Sequence, residues 1–372
     1  MRDVSRWHAC TGFLAAALSL ATGLPLAGQE VRTVLVGAGT GEPIAGALVA
    51  LIDTTGLELR RTMTDATGAV RFDIQPGAYR LRVFRIGVAR WETGVFRLAS
   101  GDTFTTTLRA PEQPIILAPL TVRGERRCRL RPEEGSAAAT LWEEARKALE
   151  ATEWTIRSRL YRFQTVSYVR VYGPVGGNPT AEERTVGTGL SAWPFESISL
   201  DSLNAHGFVQ TDAKGEAHYY GPDLTVLFSE MFLSQHCFKV RTNEQDSLVG
   251  LGFEPVASRR VNDIAGVLWL DRRSMELRHL EFSYTRLGGW VGRGARGVIA
   301  FERLPSRGWV IRRWFIRAPI PRLGATRAVD GGYGTASTRD TLGVGGYREE
   351  GAHVVTVMTA GGQPVAVYPE EP

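Results

Sequence analysis

Short apolar runs alternating with polar residues mark the N-terminal part of the chain, and turn signals separate them. Three of these runs are Ala47–Ile52, Val70–Ile74 and Tyr79–Phe84. A period of two residues places apolar side chains on one face of a β-strand. Turns at this spacing predict an antiparallel β-sandwich rather than a helical or a parallel fold.

The turns between these runs carry residues that favour chain reversal. Asp65 can accept hydrogen bonds from its own backbone, and Gly68 accepts a positive φ. In the next turn, Pro76 fixes φ, and Gly77 leaves its position free for a left-handed conformation. We therefore take as fold-defining turn positions Gly41, Pro43, Gly46, Asp65, Gly68, Pro76, Gly77 and Tyr79.

The segments 41–47, 64–68 and 76–81, in this order, resemble the carboxypeptidase regulatory-like domain. The resemblance covers about residues 31–110. It implies a prealbumin-like (transthyretin-like) sandwich of seven strands with an immunoglobulin-type, carbohydrate-binding-like fold. It implies no single activity, because the domain is appended to peptidases, sugar-processing enzymes, transporters and adhesins alike.

Beyond the sandwich, the pattern predicts one main helix followed by strands. An apolar stripe through Leu141, Ala145 and Leu149 predicts an amphipathic helix over 136–152, with an i,i+4 pair between Glu143 and Lys147. From Trp154 onwards, period-two alternation predicts strands. The expected fold class is mainly β: a sandwich followed by a larger antiparallel β-rich (α+β) domain.

Composition shifts suggest where the parts of the chain begin and end. We expect, in order, a signal peptide 1–28, the sandwich 29–122, an Arg-rich linker 123–135, a β-rich domain 136–320, a flexible Gly-rich segment 321–346 and a terminal hairpin 347–372.

The N-terminus has the pattern of a secretory signal. Arg2 and Arg6 precede an apolar core over 13–20, and small residues at Ala27 and Gly28 offer a cleavage site. An uncleaved anchor helix is the alternative, although the apolar run is short. No later segment is long and apolar enough to span a bilayer as a helix. We expect an exported protein that is periplasmic, associated with the outer membrane, or extracellular.

Two cysteines remain after the predicted signal, Cys128 and Cys237. An even pair in an oxidising compartment favours a disulfide. The alternative is two buried thiols that are not bonded to each other.

The formal net charge of +5 comes almost entirely from arginine, since only Lys147, Lys214 and Lys239 are lysines. A nucleic-acid partner would require stacking aromatic residues or a recognised motif beside the arginines, and export argues against such a partner. A solvated surface is the simpler interpretation. We therefore expect no nucleic-acid partner.

Motifs for catalysis are missing from the sequence. A zinc peptidase needs two closely spaced ligands, yet no histidine beyond residue 28 is followed three residues later by Glu or His. No nucleophile elbow, SxxK pair or Walker loop occurs. The sequence therefore predicts no catalytic residue, no metal site and no cofactor.

One aromatic cluster suggests a ligand site. His218, Tyr219 and Tyr220, together with Trp193, have the chemistry to stack on sugar rings, but they equally suit the core of a β domain.

Three functions therefore stay open. The first is an exported, non-catalytic cell-envelope module for binding, interaction or structure, with envelope proteins or glycans as partners. The second is a carbohydrate-binding protein with a prealbumin-like fold. The third is a hydrolase without a recognisable motif.

Overall fold

The computed structural model describes residues 29–111, 127–128, 130, 136–190, 196–243, 247–289, 291–328 and 337–369, and of residues 243, 324–328 and 337–341 only the backbone. The predicted signal peptide and most of the predicted Arg-rich linker lie outside these residues.

Residues 29–110 fold into a β-sandwich, which confirms the predicted fold. Its strands are β1 Gln29–Gly37, β2 Leu48–Asp53, β3 Glu58–Met63, β4 Ala69–Ile74, β5 Gly77–Arg85, β6 Val88–Glu92, β7 Phe96–Leu98 and β8 Thr103–Ala110. One sheet has the order β4-β1-β8, with β1 and β8 parallel; the other has the order β3-β2-β5-β6, with β7 added beside β5. The sandwich has eight strands rather than the seven expected, because the short β7 pairs separately with β5.

The turn before β4 has the predicted chemistry. Asp65 Oδ1 accepts hydrogen bonds from the backbone N–H groups of Thr67 (2.9 Å) and Ala69 (3.0 Å). Gly68 has φ +74°, and a Cβ at this position would lie 2.4 Å from the carbonyl oxygen of Leu35. Glycine is required here for both its conformation and its size.

We expect Gly68→Ala to lower the free energy of unfolding by about 2 kcal/mol or more, because it adds strain at a positive φ to a backbone collision. Urea denaturation measures the change. Gly56→Ala is the matched control, since Gly56 has φ +95° but no neighbour within 4 Å of an added Cβ. Equal losses in the two variants would show that the contact with Leu35 contributes nothing.

Gly77 has a different role from the one expected. It begins β5 without a positive φ, so the predicted left-handed conformation was wrong. An added Cβ would lie 2.5 Å from the hydroxyl of Tyr79, whose O–H donates to the carbonyl of Gln75 (2.7 Å). Gly77 therefore makes room for the Tyr79 ring.

As far as it is described, the second part of the chain combines four helices with a large antiparallel sheet. The helices are α1 Ala137–Arg157, α2 Leu200–His206, α3 Leu224–Phe228 and α4 Glu230–Gln235. The strands are β9 Tyr161–Tyr172, β10 Ala181–Gly189, β11 Val209–Thr211, β12 Ala217–Tyr219, β13 His236–Asn243, β14 Leu248–Pro255, β15 Asp263–Asp271, β16 Leu277–Thr285, β17 Arg296–Arg303, β18 Trp309–Ala328, β19 Ser337–Thr359 and β20 Pro364–Val367. The ten-stranded sheet has the order β10-β9-β19-β18-β17-β16-β15-β14-β13, with β20 beside β19, and β11 pairs with β12.

Helix α1 is longer than predicted. The side chain of Ser136 caps its N-terminus by accepting a hydrogen bond from the N–H of Ala139. Its C-terminal turns carry Thr152 and Thr155, whose buried hydroxyls donate to backbone carbonyls one turn earlier. The apolar and polar alternation after Trp154 was therefore misread as a strand, because it continues the buried face of the helix.

Helix α1 lies between the sandwich and the large sheet. A single hydrophobic cluster contains Ile52 and Phe84 of the sandwich, Leu141 and Leu149 of α1, and residues such as Leu280 of the sheet. The sheet β3-β2-β5-β6 is apolar on both faces, because Val49 and Leu51 lie in the core of the sandwich whereas Ile52 lies in the cluster with α1. The helix therefore covers one apolar face of this sheet and one of the large sheet.

The predicted flexible segment 321–346 is strand wherever it is described. β18 and β19 pair antiparallel from Arg313↔His353 to Ala328↔Ser337, well past the end of β9 at Tyr172. Its Gly-rich composition suggested a linker, but the two strands supply each other's backbone hydrogen bonds. Further along, β20 pairs antiparallel with the end of β19.

Among the described helices, none combines the length and the apolar character needed to cross a membrane.

Candidate functional site

The large sheet has an inner face that packs on α1 and an outer face that points away from it. The strand registers place outer-face residues in rows, because directly opposite residues share a face. One row contains Val267, Glu281, Val298, Phe315, Gly351 and Tyr168. The next row contains Ala265, Ser283, Arg296, Arg317, Glu349 and Arg170.

Alternation along the strands produces these two faces. In β16, Leu280, Phe282 and Tyr284 are buried in the core, whereas Glu281 and Ser283 between them are exposed. The outer positions combine charged, small and aromatic residues. This composition is typical of a surface that faces water or a polar partner.

A shallow groove of about 450 Å³ runs across this face over β15 to β18. The small side chains of Ala265 and Ser283 leave the space, and larger ones border it. The bordering side chains are Val267, Glu281, Arg296, Val298 and Phe315.

Opposite charges lie at the border of the groove. The guanidinium of the exposed Arg296 lies 6.0 Å from the ring centroid of Phe315. The carboxylate of Glu281 accepts a hydrogen bond from the indole N–H of Trp269 at 2.8 Å. The groove is therefore bordered by a cation, an aromatic ring and an oriented anion.

The arginines further along the same row are bound to carboxylates. Arg317 binds Glu349 at 2.7 Å, and Arg170 binds Glu182 at 3.0 Å. Within the described part of the chain, Arg296 has the Phe315 ring but no carboxylate partner. Its charge is thus available to a ligand.

The predicted disulfide is confirmed. Cys128 and Cys237 are bonded across 109 residues. Beside them, Arg127 and Phe238 exchange two backbone hydrogen bonds, of 2.8 and 2.6 Å. This part of the linker is therefore attached to the β13 edge of the large sheet.

The aromatic residues predicted as a ligand site do not share one surface. Tyr219 and Tyr220 are half-buried and pack against the main core, and the Tyr219 hydroxyl donates to the carbonyl of Val291. Burial raises the pKa of Tyr219 to about 12. His218 is exposed and lies near Asp212 instead, while Trp193 lies outside the described residues.

Three exposed side chains near the β11–β12 turn could hold a metal ion. Ligand atoms of Asp212, Glu216 and His218 lie within 4.8 Å of one another. Asp212 also accepts the N–H groups of Lys214 and Glu216, as Asp65 does in the equivalent sandwich turn. The backbone hydrogen bond from Glu216 and the side-chain hydrogen bond to His218 hold the pKa of Asp212 below its ordinary value. The turn thus explains the position of Asp212 without a metal.

A deeply buried ionic pair joins α1 to the sandwich. Lys147 Nζ donates to Glu144 Oε1 (2.5 Å) and to the carbonyls of Val88 (2.6 Å) and Arg85 (3.1 Å). Glu144 Oε2 accepts the N–H of Gly87 at 2.6 Å. Burial raises the pKa of Glu144, although the Lys147 ammonium opposes this effect. The expected Glu143–Lys147 pair was wrong, because Glu143 binds Arg146 instead.

A second buried cluster surrounds Asp263. Arg259 binds one of its carboxylate oxygens at 2.6 Å, and His236 Nε2 lies 3.3 Å from the other. Arg259 also donates to the carbonyl of Leu203, which attaches α2 to the sheet. Burial acts to raise the pKa of Asp263, but the hydrogen bonds from its neighbours hold it below its ordinary value. Like Glu144 and Lys147, these side chains bind partners in the interior of the protein.

The sequence did not point to the groove residues. They come from four strands and form no local motif. A usable signal was the regular exposure of polar and aromatic residues on one face of β15–β18, but it depends on registers that a single sequence does not fix.

Solved structures give only distant likenesses. The 5-hydroxyisourate hydrolase of Klebsiella pneumoniae is 23% identical over 22% of this chain and 84% of that one, with a TM-score of 0.19. The major pilin subunit BcpA of Bacillus cereus is 11% identical over 92% of this chain and 93% of that one, with a TM-score of 0.22. At these TM-scores, neither likeness carries an argument about function.

A search of curated proteins found no match. The family model of the carboxypeptidase regulatory-like domain matches residues 30–110. The match agrees with the turn motifs, with the positive φ of Gly41, Gly46 and Gly68, and with the two packed sheets. Residues 30–110 of this chain are therefore a carboxypeptidase regulatory-like domain.

Proposed function

We propose that the protein is an exported, non-catalytic interaction module of the cell envelope, and that its outer sheet face binds an envelope protein. The single observation that carries the proposal is the groove in which Arg296 lies beside the ring of Phe315 and has no carboxylate partner among the described residues. Arginine and aromatic residues, including phenylalanine, are enriched at the core of protein interfaces.

The chemistry of the buried ionisable groups supports a binding role over a catalytic one. Glu144 and Lys147 are 1% and 4% exposed, and their polar atoms bind backbone groups of the sandwich. Asp263 is 1% exposed and bound to Arg259 and His236. A catalytic group must reach its substrate, and these groups hold elements of the fold together.

The shape of the groove suits an extended polypeptide. It is open, crosses four strands and alternates apolar and charged borders. An extended segment presents its own side chains with a period of two. In a bound polypeptide, an apolar residue would pack on Phe315 and Val298. An acidic residue of the polypeptide would lie at Arg296, and a basic one at Glu281.

The binding test uses the full chain, fluorescently labelled, with envelope fractions of the native organism. We expect saturable binding that is lost after protease treatment of the fraction, and weakened about ten-fold or more by Arg296→Glu combined with Phe315→Ala. Arg273→Glu is the control, because Arg273 is an exposed arginine in the β15–β16 turn, outside the groove.

Equal binding by the groove variant and the control would contradict the proposal. Binding that survives the protease but is lost on removal of glycans would favour the carbohydrate-binding alternative instead.

A further inference from the structure

The two edge strands of the large sheet, β13 and β10, differ in how much of the chain covers them. At the β13 edge, Arg127 forms a backbone bridge to Phe238, and the neighbouring Cys128 is bonded to Cys237. At the opposite edge, β10 pairs only with β9 among the described strands, and all nine of its residues are exposed. An uncovered edge strand presents unpaired N–H and C=O groups to another strand.

A glycine in the middle of β10 has no explanation within one copy of the chain. Gly187 has no left-handed φ, and an added Cβ would meet nothing within 4 Å. Glycine weakens a strand interior, and it often marks a bulge, a tight bend or the close approach of a ligand or another backbone. The register of β10 with β9 is continuous through Gly187, so no bulge explains this glycine. Gly187 is therefore a second observation that points to a partner at this edge.

The residue pattern of β10 is complementary to itself. Its first half carries Glu182, Glu183 and Arg184, and its second half, 186–189, is small or uncharged. In an antiparallel pair, two directly opposite residues either both point their backbone N–H and C=O groups at the other strand or both point them away. Two copies of β10 related by a two-fold axis therefore pair only when the axis places one residue opposite the same residue of the second copy. An axis at Glu182, Glu183 or Arg184 would put like charges directly opposite each other.

An axis at Thr185 avoids these like-charge pairs, and it gives every residue of β10 a partner in the second copy. It places Glu182 opposite Thr188 of the second copy, Glu183 opposite Gly187, and Arg184 opposite Val186. Each bulky charged residue then faces an uncharged one. We propose that the protein forms a two-fold dimer in which β10 of each copy pairs with β10 of the other, so that the two large sheets become one.

This interface is separate from the groove over β15–β18. The axis stands perpendicular to the sheet, so the outer faces of both copies lie on the same side. The dimer therefore presents two grooves in one direction.

The test compares the full chain with Gly187→Glu and Gly187→Lys by sedimentation velocity over a concentration series. The two substitutions have similar effects on the backbone, and each added side chain lies opposite Glu183 of the second copy. We expect a dimer for the wild type, and a dissociation constant at least about ten-fold larger for Gly187→Glu than for Gly187→Lys, because each dimer contains two such pairs. Circular dichroism melting should show both variants folded, since Gly187 has open space around it.

A wild-type chain that stays monomeric at its highest soluble concentration would overturn the proposal. So would a dimer that the Glu and Lys variants form equally well, because its interface would then lie elsewhere. A monomer whose β10 amides gain protection from hydrogen exchange only when envelope extract is added would overturn self-pairing in favour of a foreign strand.

Discussion

Replacing Lys147 with methionine is expected to lower the free energy of unfolding by about 3–5 kcal/mol, because it leaves the Glu144 carboxylate buried without its counter-charge. The carbonyls of Arg85 and Val88 lose their donor in the same step. Urea denaturation of the full chain measures the loss. Arg157→Met is the matched control on the same helix, since Arg157 is largely exposed in its pair with Glu153 and should cost less than about 1 kcal/mol.

The loss in the Lys147 variant should depend on pH in a defined direction. Burial raises the pKa of Glu144 in the folded protein, and removing the lysine takes away the main effect that opposes this. A carboxyl whose pKa is higher in the folded than in the unfolded state favours folding most when it is protonated. The deficit should therefore be smallest below the ordinary Glu pKa and grow as the pH rises through the raised value. A deficit independent of pH, or one no larger than that of Arg157→Met, would contradict the burial of this pair.

Replacing both Cys128 and Cys237 with alanine is expected to destabilise the chain by about 4–5 kcal/mol in the chain-entropy model, since the bond closes a loop of 109 residues. The double variant also removes the covalent attachment beside Arg127, which pairs with Phe238 on the β13 edge. Urea denaturation with and without a reductant measures the effect.

The double alanine variant serves as its own control, because a reductant should not change its stability further. A wild-type chain whose stability is unaffected by full reduction would contradict a stabilising role for the disulfide. Two reactive thiols in unreduced, denatured protein would contradict the bond itself.

Local chemistry made the sandwich predictable. The turn at Asp65 and Gly68 depends on hydrogen bonds and conformations within five residues, and such signals are present in the sequence itself. Gly77 shows the limit of this reasoning. Its backbone is ordinary, and the need for glycine comes from the Tyr79 ring, whose position depends on tertiary packing.

The second domain was predicted less well, because its contacts are distant in sequence. Residues after Trp154 have an alternation that suits either a strand or the end of a helix, and packing of α1 between two sheets decides for the helix. The pairing of β18 with β19 through the Gly-rich segment depends on a partner strand, which composition does not reveal.

The groove could not be predicted for the same reason. Ala265, Ser283, Arg296 and Phe315 become neighbours only through the registers of four strands. Shifting any one strand by a single residue would turn its groove residue towards α1. The alternation of apolar and polar residues predicts that the sheet has an outer face. It does not predict which residues of that face become neighbours.

Site-specific photo-crosslinking in the native cell shows directly which surface of the protein contacts a partner. A photoreactive amino acid replaces Val298 inside the groove or Arg273 in the turn outside it. We expect a discrete covalent adduct with an envelope protein from position 298 and none from position 273. No adduct from position 298, or the same adducts from both positions, would contradict a binding role for the outer sheet face.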